Sequence, residues 1–111
     1  MSKFDRNENP NWEPDALVEL TFTDRDIEIL NGYKPTYQIM PNYLTCTAHW
    51  FIENGKALPQ VATKAFVKFI SPEAYPNSIS TNMVLNVTEG SKIVGKSKII
   101  EIYNEVLRKD S

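Results

Sequence analysis

Short stretches in which apolar and polar residues alternate constrain this chain more than any other feature of its sequence. In ALVELTF, residues 16–22, the apolar residues Ala16, Val18, Leu20 and Phe22 occupy every second position. Because successive side chains of a β-strand point to opposite faces, this pattern predicts a strand with one buried face. The same reasoning predicts further inward-facing sets: Tyr33, Tyr37 and Ile39; Leu44, Cys46, Ala48, Trp50 and Ile52; Ala65, Val67 and Phe69; and Met83, Leu85 and Val87.

The connections between these stretches favour an all-β fold. Segments such as ENGKALPQ and SPEAYPNSIS are rich in Gly, Pro, Asn and Ser, which favour turns. Short strands with turn-rich spacers are typical of a β-barrel or a β-sandwich. The last segment, SKIIEIYNEVLRK, also fits helical spacing, but its β-branched residues and the Glu89-Gly90 turn before it predict a long strand with a frayed tail.

Composition and charge exclude several classes of protein. A chain of 111 residues is expected to form one domain, and its net charge of −2 gives no overall attraction to nucleic acid or to an anionic membrane. Cys46 is the single cysteine, so neither an intramolecular disulfide nor a cysteine-rich metal site can form. The N-terminal residues lack the apolar segment of a secretion signal, and no apolar run reaches the roughly 18 residues of a membrane span. We therefore expect a cytoplasmic protein without a cofactor, a bound metal or a membrane contact.

Cys46 and His49 are the residues that most resemble a nucleophile and its base. A catalytic pair has to lie within hydrogen-bond reach, yet the alternation places the two on opposite faces of one strand. The sequence predicts a buried, unreactive Cys46 and a surface His49 next to Tyr43, Thr45 and Thr47. It also places Tyr43, Phe51, Phe66 and Tyr75 near the outward register, where exposed aromatic side chains would mark a protein contact. No catalytic site is predicted.

Two short motifs resemble the C-terminal (third) domain of the elongation factor Tu family. The stretch NGYKPTY is similar to the Gly-Tyr-Arg-Pro-Gln-Phe corner of that domain, and EGSKIVGKSKIIEI is similar to its final Glu-Gly-x-x-x-Val-Gly turn and strand. The resemblance covers residues 15–104 and implies a six-stranded antiparallel β-barrel. We accordingly expect a flexible N-terminal arm over residues 1–14 with Trp12 as its anchor, a barrel domain over 15–107, and a tail over 108–111.

The resemblance also implies a translation-related role with important parts missing. The family barrel packs against a GTPase domain and touches the acceptor and T-stem side of aminoacyl-tRNA. This chain has no phosphate-binding loop, so it is not expected to bind or hydrolyse a nucleotide. The family's Arg-Thr-Thr-Asp-Val-Thr-Gly run is replaced by MPNYLTC, and from the tRNA-facing turn Glu89 and Gly90 carry over.

The residues themselves suggest a structural role for the corner and a binding role for a set of lysines. Gly32 can adopt a positive φ and Pro35 restricts Lys34, so NGYKP is expected to form a rigid start of a strand that Tyr33 covers. Exposed lysines commonly protect a barrel surface, but here they could also form a basic stripe. The stripe would comprise Lys92, Lys96 and Lys98, with Lys64 and Lys68 if their strands lie close together.

Three functions remain open at this stage. The favoured one is a non-enzymatic binding module that engages a protein partner with one face of the barrel. The alternative is an RNA (tRNA)-binding module that contacts phosphates through the lysine stripe with Lys92, Lys96 and Lys98, next to Glu89 and Gly90 of the turn that the resemblance places towards tRNA. An enzyme would need converging ionisable groups, which the sequence does not indicate.

Overall fold

The structure is a computed structural model, and it describes residues 13–23, 29–30, 32–40, 43–51, 56–58, 60–90 and 92–109. Residues 1–12 of the arm predicted over residues 1–14, including Trp12, and residues 110–111 of the tail lie outside the described part. The strands are β1 (Ala16–Phe22), β2 (Ile29–Leu30), β3 (Thr36–Met40), β4 (Tyr43–Phe51), β5 (Lys56–Ala57), β6 (Thr63–Phe69), β7 (Val84–Glu89) and β8 (Lys92–Ile102).

Six of these strands form a closed antiparallel barrel, as predicted. Their order around the barrel is β1-β6-β4-β3-β7-β8, and the pairing of β8 with β1 closes it. From the sequence, TDRDIEILNG between β1 and β3 and ENGKALPQ between β4 and β6 are predicted to be connections. They instead contain β2 and β5, which pair with each other as a separate two-stranded sheet.

The barrel interior contains most of the side chains that the alternation assigned to it. The even-numbered apolar residues of β1 and the odd-numbered ones of β6 are buried, as are Tyr37, Leu85 and Val87. Met83 is half-buried and packs against this core. For these residues the structure confirms the period-2 predictions.

The orientation of β4 is the reverse of the prediction. Thr45, Thr47 and His49 are buried, whereas Leu44 and Cys46 are exposed. The neighbouring strands decide this orientation, because residues that pair directly across two antiparallel strands lie on the same face. Tyr37 of β3 pairs with Thr45, and the buried residues of β6 pair with the same face of β4: Val67 with His49 and Phe69 with Thr47. The apolar set of β4 is therefore held on the outside of the barrel.

The chain after β8 makes backbone hydrogen bonds as far as Lys109, whose amide donates to the Ile79 carbonyl at 2.7 Å, where the sequence predicts a frayed tail. After β8 a short 3₁₀ helix, Glu105–Leu107, buries Leu107 completely. The backbone amides of Ser78 and Ile79 both donate to the Leu107 carbonyl at 3.0 Å. Asp15 connects this C-terminal segment to β6, since its carboxylate accepts hydrogen bonds from the Phe69 amide at 2.7 Å and from Asn104 Nδ2 at 2.9 Å.

The GYKP corner is a rigid extension of β3. Gly32 has φ +89°, a conformation that glycine adopts at little cost. The corner continues the ladder with β4, because the His49 amide donates to the Tyr33 carbonyl at 2.9 Å and the Thr47 amide to the Pro35 carbonyl at 3.0 Å. Tyr33 packs edge-on against the buried Phe22 ring, with 5.5 Å between centroids.

Candidate functional site

An apolar groove lies on the outer surface between β4 and β6. We call it the β4–β6 groove; its volume is about 370 Å³, and it is lined by Lys34, Cys46, Thr47, Ala48, Lys68, Phe69 and Ile70. Leu44 continues the same outer face of β4 and is 49% exposed, while Ile70 is 58% exposed. Adjoining exposed apolar side chains on a barrel exterior make this groove a candidate contact surface.

Local pairing explains how the groove is built. Beyond the end of β6 the Ile70 amide still donates to the Cys46 carbonyl at 3.0 Å, so Ile70 lies beside the outward-facing Cys46. The chain then turns at Ser71, whose φ is +48°. On the other side, the corner that precedes β3 places the exposed Lys34 at the groove. Backbone hydrogen bonds therefore hold the chain segments on both sides of the groove.

The two motifs that suggested a family resemblance meet in space. The Tyr33 hydroxyl of the corner donates to Glu89 Oε2 at 2.5 Å, although 56 positions separate the residues. Gly90 follows with φ +62° and forms the turn into β8. A shallow cleft of about 330 Å³ lies between the two motifs, and its lining is Tyr33, Lys34, Pro35, Thr36, Thr88, Glu89 and Gly90. The carboxylate of Glu89 thus has a structural role in joining the two motifs.

The lysines predicted to form a basic stripe are distributed among acidic and neutral groups. Lys96 Nζ donates to Asn86 Oδ1 at 2.8 Å, and Lys92 pairs across the sheet with Glu89. Strands β6 and β8 are not neighbours, because β1 lies between them. Glu19 of β1 pairs directly with both Lys64 and Lys98, so a carboxylate interrupts the stripe.

The barrel interior contains a polar cluster that sequence reasoning missed. His49 is 1% exposed, its Nε2 lies 2.5 Å from the Tyr37 hydroxyl, and its Nδ1 lies 3.3 Å from the Tyr33 carbonyl oxygen. A carbonyl only accepts, so Nδ1 carries the proton and Nε2 accepts from Tyr37. Burial lowers the pKa of His49 to about 4 and raises the pKa of Tyr37 above its usual value. Burial thus favours the neutral imidazole at neutral pH. The lone position of His49 in the sequence gave no signal of this.

Tyr75 corrects another expectation. It was placed near the outward register, but it is buried and packs against Phe69 with 6.3 Å between ring centroids. Its hydroxyl accepts from Thr45 Oγ1 at 2.7 Å and donates to the Ile70 carbonyl at 2.5 Å. Burial raises the pKa of Tyr75 to about 12. Of the other predicted outward aromatic residues, Tyr43 is exposed and Phe66 half-buried, whereas the Phe51 side chain lies outside the described part.

Cys46 and His49 do lie on opposite faces of β4, as predicted, but each lies on the face that was assigned to the other. The exposed Cys46 thiol and the buried imidazole consequently do not form a nucleophile and base pair. Within the described ranges, no group of three or more His, Cys, Asp or Glu side chains could hold a metal ion. No helix in this same part of the chain has the length and apolar character that spanning a bilayer requires.

Comparisons with known proteins add no assignment to this geometry. The sequence matches no protein-family model, and no curated protein is significantly similar to it. A six-stranded barrel alone does not define a family, because one fold supports many functions. The function has to be inferred from the surfaces described above.

Proposed function

We propose that this protein is a non-enzymatic binding module that engages a protein partner through the outer face of β4 and the adjoining β4–β6 groove. The observation that carries the proposal is the orientation of β4. Leu44, Cys46 and Ala48 form its apolar face, and the pairing with β3 and β6 turns that face outward. A partner that covers these side chains would recover the hydrophobic free energy that the barrel itself does not use.

The proposal includes a relationship to the third domain of elongation factor Tu. A six-stranded antiparallel barrel and the contact between the corner and the Glu89-Gly90 turn support it. In that family the barrel packs against other protein domains, which is the kind of contact proposed here. A cytoplasmic location is part of the proposal, because a reducing compartment keeps an exposed thiol such as Cys46 free.

RNA binding is the alternative, and the exposure of Lys92, Lys96 and Lys98 on β8 favours it. Strand β8 lies across the barrel from β4, since two strands separate them in either direction. The two candidate surfaces can therefore be altered independently. Glu19 and Glu89 next to these lysines weaken a phosphate-binding surface, so we favour the protein partner.

Affinity capture from a lysate of the source cells, followed by mass spectrometry, tests the proposal with two variants. Ala48→Arg places a long charged side chain in the groove and should reduce recovery of the partner at least about tenfold, a loss of roughly 1.4 kcal/mol. The matched control, Lys92→Glu/Lys96→Glu/Lys98→Glu, should retain the partner. Both variants should fold, because the altered side chains are exposed or half-buried. Each should melt slightly below the wild type, because Lys92→Glu and Lys98→Glu place carboxylates opposite Glu89 and Glu19, and Ala48→Arg places a cation opposite Lys68.

The opposite pattern would contradict the proposal. If the groove variant retains its partners while the lysine variant loses them, the barrel binds through β8. The RNA alternative further expects salt-sensitive tRNA binding. The slope of log affinity against log salt should then flatten by about one unit for each lysine removed.

A further inference from the structure

The charges around the β4–β6 groove indicate what kind of protein segment fits it. The exposed Cys46 and Ile70 and the half-buried Ala48 provide its small and aliphatic surface, and Lys34 and Lys68 flank that surface. Lys68 Nζ also donates to the Glu13 backbone carbonyl at 3.5 Å, a contact that leaves its charge uncompensated. Among the described residues that line the groove, none is acidic. The groove is thus a locally basic site on a chain whose net charge is −2.

We infer that the groove binds an extended acidic segment of a protein partner, with an aliphatic side chain inserted between carboxylates. A volume of about 370 Å³ is at the lower end of the range for small binding sites and suits a few side chains rather than a whole domain. The aliphatic side chain would be covered by Ala48 and Ile70. The carboxylates would pair with Lys34 and Lys68, whose charges select against basic segments. This inference rests on the proposed function, since it specifies the partner of the same surface.

Two other occupants fit the groove less well. Single-stranded RNA is bound through aromatic side chains on which bases stack, but Phe69, the aromatic residue that lines the groove, is 1% exposed. A second copy of this chain, joined groove to groove, would bring Lys34 and Lys68 of both copies to one interface, and like charges disfavour that contact. A partner with carboxylates avoids both problems.

Selection from a displayed library of random linear peptides tests the inference. The immobilised full chain should enrich peptides in which Leu, Ile, Val or Met is flanked by Asp or Glu. A synthetic peptide of the enriched sequence should bind Lys34→Glu/Lys68→Glu at least about tenfold more weakly than the wild type. It should bind Lys96→Glu/Lys98→Glu within about twofold, because those lysines lie across the barrel.

The single cysteine reports where the peptide binds. A saturating peptide should slow alkylation of Cys46 severalfold, since the thiol lines the groove. Melting temperatures of the variants show whether the fold is retained. If the charge reversal unfolds the chain, Lys34→Gln/Lys68→Gln replaces it with the same expected direction and a smaller effect.

Each contrary result overturns the inference in a distinct way. It fails if the enriched peptides are basic or uncharged, if no peptide is enriched, or if Cys46 reacts at an unchanged rate in the complex. It also fails if Lys34→Glu/Lys68→Glu abolishes tRNA binding, or if Ala48→Arg dissociates a homodimer seen by sedimentation. If Ala48→Arg loses the captured partner but the peptides are not acidic, the proposed function stands and this inference alone is wrong. If Ala48→Arg captures the partner as well as the wild type does, the proposed function and this inference are both wrong.

Discussion

Replacing Gly95 with alanine should destabilise the barrel by about 3 kcal/mol or prevent it from folding. A Cβ atom at this position would lie 2.5 Å from the Thr21 carbonyl oxygen and 3.1 Å from the Phe22 Cα. Both are backbone atoms of β1, with which Gly95 pairs across from Phe22. Because these are backbone atoms, relieving the clash requires the paired strands β1 and β8 to shift. Denaturant titration of the variant gives the change in the free energy of unfolding.

Gly90→Ala provides the matched control. Gly90 also belongs to the Glu-Gly-x-x-x-Val-Gly motif, but a Cβ added there meets no atom within 4 Å. Its φ of +62° costs an L-residue roughly 1 kcal/mol, so Gly90→Ala should be clearly milder than Gly95→Ala. Equal stability of the two variants, or a Gly95→Ala protein as stable as the wild type, would show that β8 does not approach β1 as described.

The free energy of unfolding should fall as the pH is lowered from about 6.5 towards 4, because of His49. Burial lowers the pKa of this imidazole to about 4 in the folded protein, whereas its ordinary value is 6.5. Between these values the unfolded chain binds a proton that the folded chain does not, so acid favours unfolding. The difference corresponds to about 3 kcal/mol, of which about 2 kcal/mol is lost by pH ~5, before most carboxylates titrate.

The contribution of His49 can be isolated because the chain has a single histidine. His49→Gln has an amide that does not titrate, so its free energy of unfolding should vary much less between pH ~6.5 and ~5. The imidazole proton resonance of the folded wild type should not shift over the same range. A resonance that titrates near 6.5 would place His49 in water and contradict its buried position beside Tyr37.

The accuracy of the sequence predictions depended on how different the two faces of each strand are. In β1 and β6 one face is mostly apolar and carries no charge, whereas the charged residues lie on the other face, so the alternation alone determined which side is buried. In β4, Thr45, Thr47 and His49 alternate with Leu44, Cys46 and Ala48, and both faces can be buried if the polar groups find partners. In β4 the buried polar groups have partners. Thr47 Oγ1 donates to the Pro35 carbonyl at 2.8 Å. Thr45 is hydrogen-bonded to Tyr75, and His49 is hydrogen-bonded to Tyr37. Which face points inward is set by pairing with β3 and β6, which one strand's sequence does not specify.

The same limitation explains why the candidate groove was not predicted. Its residues come from the corner before β3, from β4, and from the end of β6, and the registers of three segments bring them together. Because the orientation predicted for β4 was the reverse of the observed one, Cys46 and Ala48 were assigned to the core. The Glu89-Gly90 turn was located correctly as a turn, but its contact with Tyr33 depends on the pairing of β3 with β7. The lysines of β8 could be identified from the sequence. The position of Glu19 between Lys64 and Lys98 could not, because it depends on the strand order.

Site-directed cross-linking tests the central claim, that the outer face of β4 is the binding surface, most directly. A photoreactive group attached to the native Cys46 lies in the β4–β6 groove. The same group on Lys96→Cys, in a Cys46→Ser background, lies on β8 across the barrel. After illumination in a lysate of the source cells, we expect a discrete protein adduct from position 46 and none from position 96. An adduct from position 96 alone, or RNA attached there, would contradict the account.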